Sequence, residues 1–267
     1  MRKILLYLAL SLGFLGASDL KSCYEMYKIE KENAVNTAVF VLVDETTPFN
    51  DSLKEQIFSN ALGFSVFSNH IFIAKFSAFI AGKYNETIFS GSLDTPLSDD
   101  EKYEINKAVL SKVDKCLKDQ IGFVKKKVKA SIESSFLKQG ENIAKSDILY
   151  ALKDFASSIK EQQAKRKIVI LASDMLENSA ITSFYAKNAV RRIEAKKELA
   201  KVEKEGLFAD FDGAEIYVIG TALTQNQKSY VDPKMLGALN EFWNEYFAKS
   251  NATLKEFGTP ALKKAIK

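Results

Sequence analysis

One histidine, one tryptophan, four prolines and two cysteines are spread over 267 residues. Each scarcity excludes something. His70 without any Cys-x-x-Cys pair leaves too few nitrogen and sulfur ligands for a zinc centre. It also precedes an apolar run far from the hydroxyl-bearing segments, so a Ser–His–Asp arrangement has no base. The glycines form no phosphate-cradling loop. No Pro- or Gly-rich stretch marks a linker, and no internal repeat is visible. Charge of one sign is also lacking. The formal balance is +4, which matches neither a nucleic-acid binder nor a protein with a strongly acidic partner.

Long apolar runs are absent after the first residues. Arg2 and Lys3 open the chain, Ile4 to Gly16 carries no charge, and Leu15-Gly16-Ala17 ends in small residues. This run is shorter than the ~20 residues that span a bilayer. It reads as a signal peptide over residues 1–17, cleaved before Ser18, with an uncleaved anchor or a buried core helix as the alternatives. Leu20 to Cys23 loosely resembles a lipobox, but the charges of Asp19 and Lys21 interrupt it. Export to the periplasm, the envelope or the exterior is the expectation. In such a compartment Cys23 and Cys116 would pair as a disulfide, the alternative being two free thiols.

What remains is ample for a packed core, with 46% apolar and 11% aromatic residues. Three runs read as buried strands: Asn36 to Val43, Lys167 to Ser173 and Ala214 to Gly220. They are short, β-branched and almost continuously apolar, as parallel strands covered on both faces are. His70 to Phe76 and the more polar Tyr84 to Ser90 add two more, the second nearer an edge. A last short strand is expected near Thr253 to Phe257. Helical patterns separate the strands. They cover Ser52 to Gly63, Ser98 to Asp119 or beyond, Ser146 to Gln163, Ile181 to Glu205, and Pro233 to Lys249. The lysine cluster Lys125, Lys126, Lys127 and Lys129 reads first as a solvated helix face, with an acidic partner or anionic lipid as the sharper reading. This alternation predicts an α/β fold: a doubly wound, mostly parallel sheet with helices on both faces. The expected organisation is an extension over 18–35, then one domain over 36–267 with a helical segment near 98–140.

In such a sheet ligands bind at the carboxyl ends of the strands. Asp44-Glu45-Thr46-Thr47-Pro48 follows the first buried strand. Ser173-Asp174 ends the second, with Met175 to Ser179 behind it. Thr221 follows the third. Asp44-x-Thr46, Asp174, and Ser146 to Leu152 at a helix start together resemble the von Willebrand factor type A (vWA) family over roughly residues 36–257. The resemblance implies a metal-ion-dependent adhesion site. Asp44, Thr46, Ser146 and Asp174 would hold Mg²⁺ or another divalent cation, and an acidic group of an envelope protein partner would complete the coordination. Pro48 departs from the family pattern, because it stands where a second hydroxyl belongs. Glu45 and Glu177 are expected at the solvated surface, Ser146 doubles as an N-cap, and Pro48 sets φ at a helix start.

Three functions follow. The first is an exported, cation-dependent protein-binding module. The second is a metal-free scaffold of an envelope assembly. The third, least supported, is a phosphotransferase or hydrolase using Asp44, for which Thr46 stands where a second Asp is needed.

Overall fold

The computed structural model describes residues 20–77, 84–136, 146–186, 189–223 and 232–267. The apolar run of residues 4–16 therefore lies outside the described residues. Among those described, no helix is long and apolar enough to cross a membrane.

The core is a six-stranded sheet. In chain order the elements are α1 (Cys23–Met26), β1 (Thr37–Asp44), α2 (Asp51–Gly63), β2 (Asn69–Phe76), β3 (Asn85–Ser92), α3 (Asp99–Tyr103) and α4 (Lys107–Ser135). They continue with α5 (Ile148–Glu161), β4 (Arg166–Ala172), the short hairpin β5 (Tyr185–Ala186) and β6 (Ala189–Val190), α6 (Ala195–Lys204), β7 (Ala214–Ile219), α7 (Pro233–Lys249) and β8 (Ala252–Phe257). The strand order is β3-β2-β1-β4-β7-β8, and only the edge strand β3 is antiparallel. The expected mostly parallel α/β architecture is what forms.

Alternation along each strand divides the core into two layers. Phe40, Leu42, Val169 and Leu171 meet α5, α6 and α7, where Phe242, Trp243, Tyr246 and Phe247 form an aromatic cluster. Val39, Val41, Val43, Ile168 and Ile170 meet Leu53 and Ile57 of α2 and Val124, Val128 and Ile132 of α4. A third, smaller cluster of Cys23, Tyr24, Leu97, Val113 and Leu117 joins α1 to the first half of α4. Cys23 and Cys116 are bridged there. The bridge closes the expected pair.

Several boundaries differ from expectation, each for a local reason. The helix predicted from Ser98 is two helices. Ser98 and Glu101 close a capping box on α3, and Asn106 recaps the chain as α4, its side chain accepting from the Ala108 amide at 2.8 Å. The helix predicted over Ile181 to Glu205 begins only at Ala195. Ahead of it, Ser179 and Ser183 accept from the Ile181 and Tyr185 amides, which diverts the backbone from helical bonding. Pro48 lies before α2 rather than in it, and Asn50 is the cap, accepting from the Leu53 amide at 3.0 Å.

Candidate functional site

The edge that matters lies at the carboxyl ends of β1 and β4. From β1 the chain crosses to β2 on one side, while β4 lies on the other, so the strand order reverses between β1 and β4. A crevice at such a switch point is where α/β sheets bind ligands. Parallel register brings the residues together. Val43 pairs with Ala172, so Asp44 and Ser173 arrive side by side one residue later. Ala172 pairs with Ile219, which brings Gly220 and Thr221 to the same edge.

Hydroxyls hold the first carboxylate. Asp44 Oδ1 accepts from the Thr46 amide at 2.9 Å and from Thr46 Oγ1 at 2.6 Å. Asp44 Oδ2 accepts from Ser173 Oγ at 2.8 Å. The Thr47 hydroxyl reaches Asp44 and also accepts from the Asp174 amide at 3.0 Å, so it ties the two loops together. Asp174 Oδ1 accepts from the Leu176 amide at 2.8 Å. Among the described residues neither carboxylate is paired with a cationic side chain.

Burial dominates the electrostatics. Asp44 is completely buried and Asp174 nearly so. Removal from water raises the Asp44 pKa despite the bonds from Thr46, Ser173 and Thr47. Asp174 is raised well above the carboxylate range, by burial first and then by the charges of Asp44 and Glu177. The Tyr185 phenol is raised as well, by burial and then by both aspartates, which places it in their joint field. Nearby, the Thr221 hydroxyl is buried with no hydrogen-bond partner among the described residues.

The backbone is shaped around these carboxylates. Met175 and Ala222 hold positive φ values of 59° and 58°, uncommon for side-chain-bearing residues and concentrated at sites elsewhere in proteins. The Ala222 amide donates to the Asp174 carbonyl at 2.8 Å. Gly220 has φ 108°, and a Cβ there would stand 2.6 Å from Phe49 Cε1 and 3.2 Å from the Ser173 carbonyl oxygen. Gly220→Ala is accordingly expected to lower stability by about 2 kcal/mol through backbone strain and this close approach. Urea unfolding reads it, and a loss below about 0.5 kcal/mol would mean the edge can readjust.

Of the four predicted ligands, Asp44, Thr46 and Asp174 gather at this edge. Ser146 is occupied differently: its hydroxyl donates to the Leu176 carbonyl at 3.3 Å. It does not cap α5 either. That helix starts after Asp147, which makes no side-chain cap bond, and Glu177 supplies the acceptor for the Leu149 amide at 3.1 Å. Glu177 is fully buried rather than solvated. Glu45 is buried too and pairs with Lys75 at 3.1 Å. Ser173 and Thr47, adjacent to predicted ligands, are the residues that bind the loops together, while Tyr185 had no signal in the sequence at all. His70 sits six residue positions from the Asp44 end, its Nδ1 against Ser92 Oγ at 2.8 Å. That is about 20 Å along the sheet, and burial lowers its pKa to about 4.

No family model matches the chain, and neither does any curated protein. Among solved structures it is similar to the PilB minor pilin from Streptococcus sanguinis, with 9% identity and a TM-score of 0.44 over 85% of this chain and 58% of that one. It is also similar to the pilus adhesin SpaC from Lactobacillus rhamnosus GG, with 12% identity and a TM-score of 0.34 over 83% of this chain and 31% of that one. For three N-terminal domains of the type V pili tip protein Mfa5 from Porphyromonas gingivalis the values are 14% identity and a TM-score of 0.32, over 74% and 30%. The chain thus spans less than two-thirds of each, and likenesses this distant assign it neither family nor partner. They do correct the resemblance to the vWA family. No model of that family matches, the three structures named above are pilus proteins, and among the described residues no three His, Cys, Asp or Glu side chains gather as a metal cluster.

Proposed function

We propose that this chain is an exported, non-enzymatic protein-binding module whose recognition surface is the carboxyl edge of the sheet between β1 and β4. One observation carries the reading: Asp44 and Asp174 are buried together at the switch point, the charge of Asp44 adds to the cost of ionising Asp174, and among the described residues no cationic side chain compensates. Either a proton is retained or a cation takes its place. The donors are hard oxygens from two carboxylates and from hydroxyls, with the Thr221 hydroxyl, unpartnered among the described residues, alongside, and they suit Mg²⁺ or Mn²⁺ completed by water. A cation held by so few protein ligands keeps positions for an acidic side chain of a partner.

The non-enzymatic part is supported by the position of the single histidine, since His70 lies at the other end of its strand and a Ser–His–Asp arrangement cannot form at the edge. Export is supported by the Cys23–Cys116 bridge, because disulfides persist in oxidising compartments.

Calorimetry tests the cation. Mg²⁺ or Mn²⁺ is expected to bind at millimolar concentration or tighter, and Asp174→Asn to abolish the signal. Both carboxyls are raised by burial and must give up a proton to ligate, so affinity should rise with pH. Absence of binding in the unmodified chain, or binding indifferent to Asp174→Asn, removes the cation from the proposal. A metal-free scaffold is then the better reading. It is favoured by a specific feature: Asp44 and Asp174 already accept backbone amides from Thr46 and Leu176.

A further inference from the structure

Helix α4 departs from the charge balance of the rest of the molecule. It holds eight lysines against three acidic residues, a surplus of five, whereas the whole chain has a surplus of four. Everything outside α4 is therefore close to neutral. At 100° per residue, Lys115, Lys118, Lys125, Lys126 and Lys129 fall within an arc of about 100°. All five are exposed, and they lie opposite the buried row of Val113, Leu117, Val124 and Val128. Gly122 interrupts the row with no side chain, and nothing lies within 4 Å of its open position. The result is a basic strip about 20 Å long, bordered by Asp114 and Asp119, with Glu133 3.9 Å from Lys129 at its end. Phe123 flanks it, 42% exposed, with Lys127 Nζ 5.6 Å from its ring centre.

We infer that this strip is a docking face for an anionic phospholipid surface. Charge complementarity is the first reason. The strip lies along one exposed helix face, and its one exposed aromatic, Phe123, has an apolar body suited to the headgroup boundary. The covalent layout is the second reason. Cys23 follows the apolar run ending at Gly16 by seven residues and is bridged to Cys116, between Lys115 and Lys118. Gln120 Nε2 also donates to the Lys21 carbonyl at 3.0 Å. Where the run is retained as an uncleaved anchor, the segment that leads out of it is thereby fastened to α4 itself. The inference does not depend on the carboxylate edge.

Co-sedimentation of the full chain with vesicles tests it. Binding is expected to phosphatidylcholine vesicles containing about one-third phosphatidylglycerol, to be weak on pure phosphatidylcholine, and to fall away as salt rises from about 50 to about 500 mM. Each lysine near such a surface contributes about five-fold in affinity. The triple variant Lys118→Glu, Lys125→Glu, Lys129→Glu should therefore lose about a hundredfold or more. A control of equal charge change on exposed lysines elsewhere, Lys196→Glu, Lys255→Glu, Lys264→Glu, should retain binding. Three outcomes overturn the inference. Equal binding to neutral and anionic vesicles means that the apolar run carries the attachment. An equal loss in the control means that overall charge is the cause. Failure to bind vesicles, with capture of poly-glutamate through the α4 lysines, means an acidic protein partner.

Discussion

Cys23→Ser with Cys116→Ser is expected to lower stability by about 4 kcal/mol. The bridge closes a loop with a sequence separation of 93 residues, and the chain-entropy relation gives about 4–5 kcal/mol for so long a loop. For a chain of this size that corresponds to a fall in Tm of about 10 °C. The loss also has a local side. Cys23 is fully buried beside Asp94, whose carboxylate accepts from the Cys23 amide at 2.6 Å, Asn33 Nδ2 at 2.7 Å and Gln120 Nε2 at 2.9 Å. Without the bridge, this hub, the Gln120–Lys21 bond and the packing of Tyr24 against Val113 and Leu117 are left to hold the segment over residues 20–35 to α4. Thermal unfolding of the variant, and of the unmodified chain with and without reductant, reads the effect. An unchanged Tm in both would show that the packing of Tyr24, Leu97, Val113 and Leu117 suffices.

Glu177→Gln is expected to remove much of the dependence of stability on pH. Burial raises the Glu177 pKa to about 8 in the folded chain, against the pull of bonds from Ser179 and the Leu149 and Ile148 amides. Unfolded, it ionises at the ordinary carboxylate pKa of about 4.3. Its contribution is therefore fully present below about pH 4.3 and is lost as pH rises through about 8. The span corresponds to an upper bound on the order of 4–5 kcal/mol, because each pKa unit is about 1.4 kcal/mol. Asp44 and Asp174 are raised too and act in the same direction, so the unmodified chain should weaken steadily from pH 5 to pH 8.5. The carboxamide oxygen of glutamine can still accept from the Leu149 amide. The variant should match the unmodified chain near pH 5 and exceed it by several kcal/mol near pH 8.5. Urea midpoints across that range give the comparison. Parallel curves for the two proteins would mean that Glu177 finds compensation for its charge when ionised.

The buried strands were legible because a strand covered on both faces leaves a continuous apolar run, and β1, β4 and β7 lie within a residue or two of where those runs stand. α7 was legible to the residue, since Pro233 at its first turn and the apolar row through Phe247 leave little choice. The stretch before α6 was not. Its polar residues bond to their own backbone, and Glu198 is enclosed by Arg191, Lys201 and Thr182, contacts that periodicity does not encode. The aspartates at the strand ends were visible as isolated carboxylates. That Thr47 and Ser173 lock them together depends on a register between strands more than a hundred residues apart. The family resemblance failed for a related reason: short motifs of Asp, Ser and Thr recur at strand ends and helix starts, where those residues bond to the backbone whether or not a ligand is present.

By itself, the sequence determined the α/β class, the covered parallel strands, the pairing of its only two cysteines, and the placement of Asp44 and Asp174 at strand ends. Those properties follow from local apolar patterning and from having a single available partner for each cysteine. Tertiary structure alone decided that Glu177 and Glu45 are buried, that Ser146 faces a carbonyl, that the two aspartates are buried together at one sheet edge, and that five α4 lysines share one exposed face. Burial and shared electrostatics belong to neighbours in space, and a glutamate that caps another element's helix is indistinguishable in sequence from one that faces water.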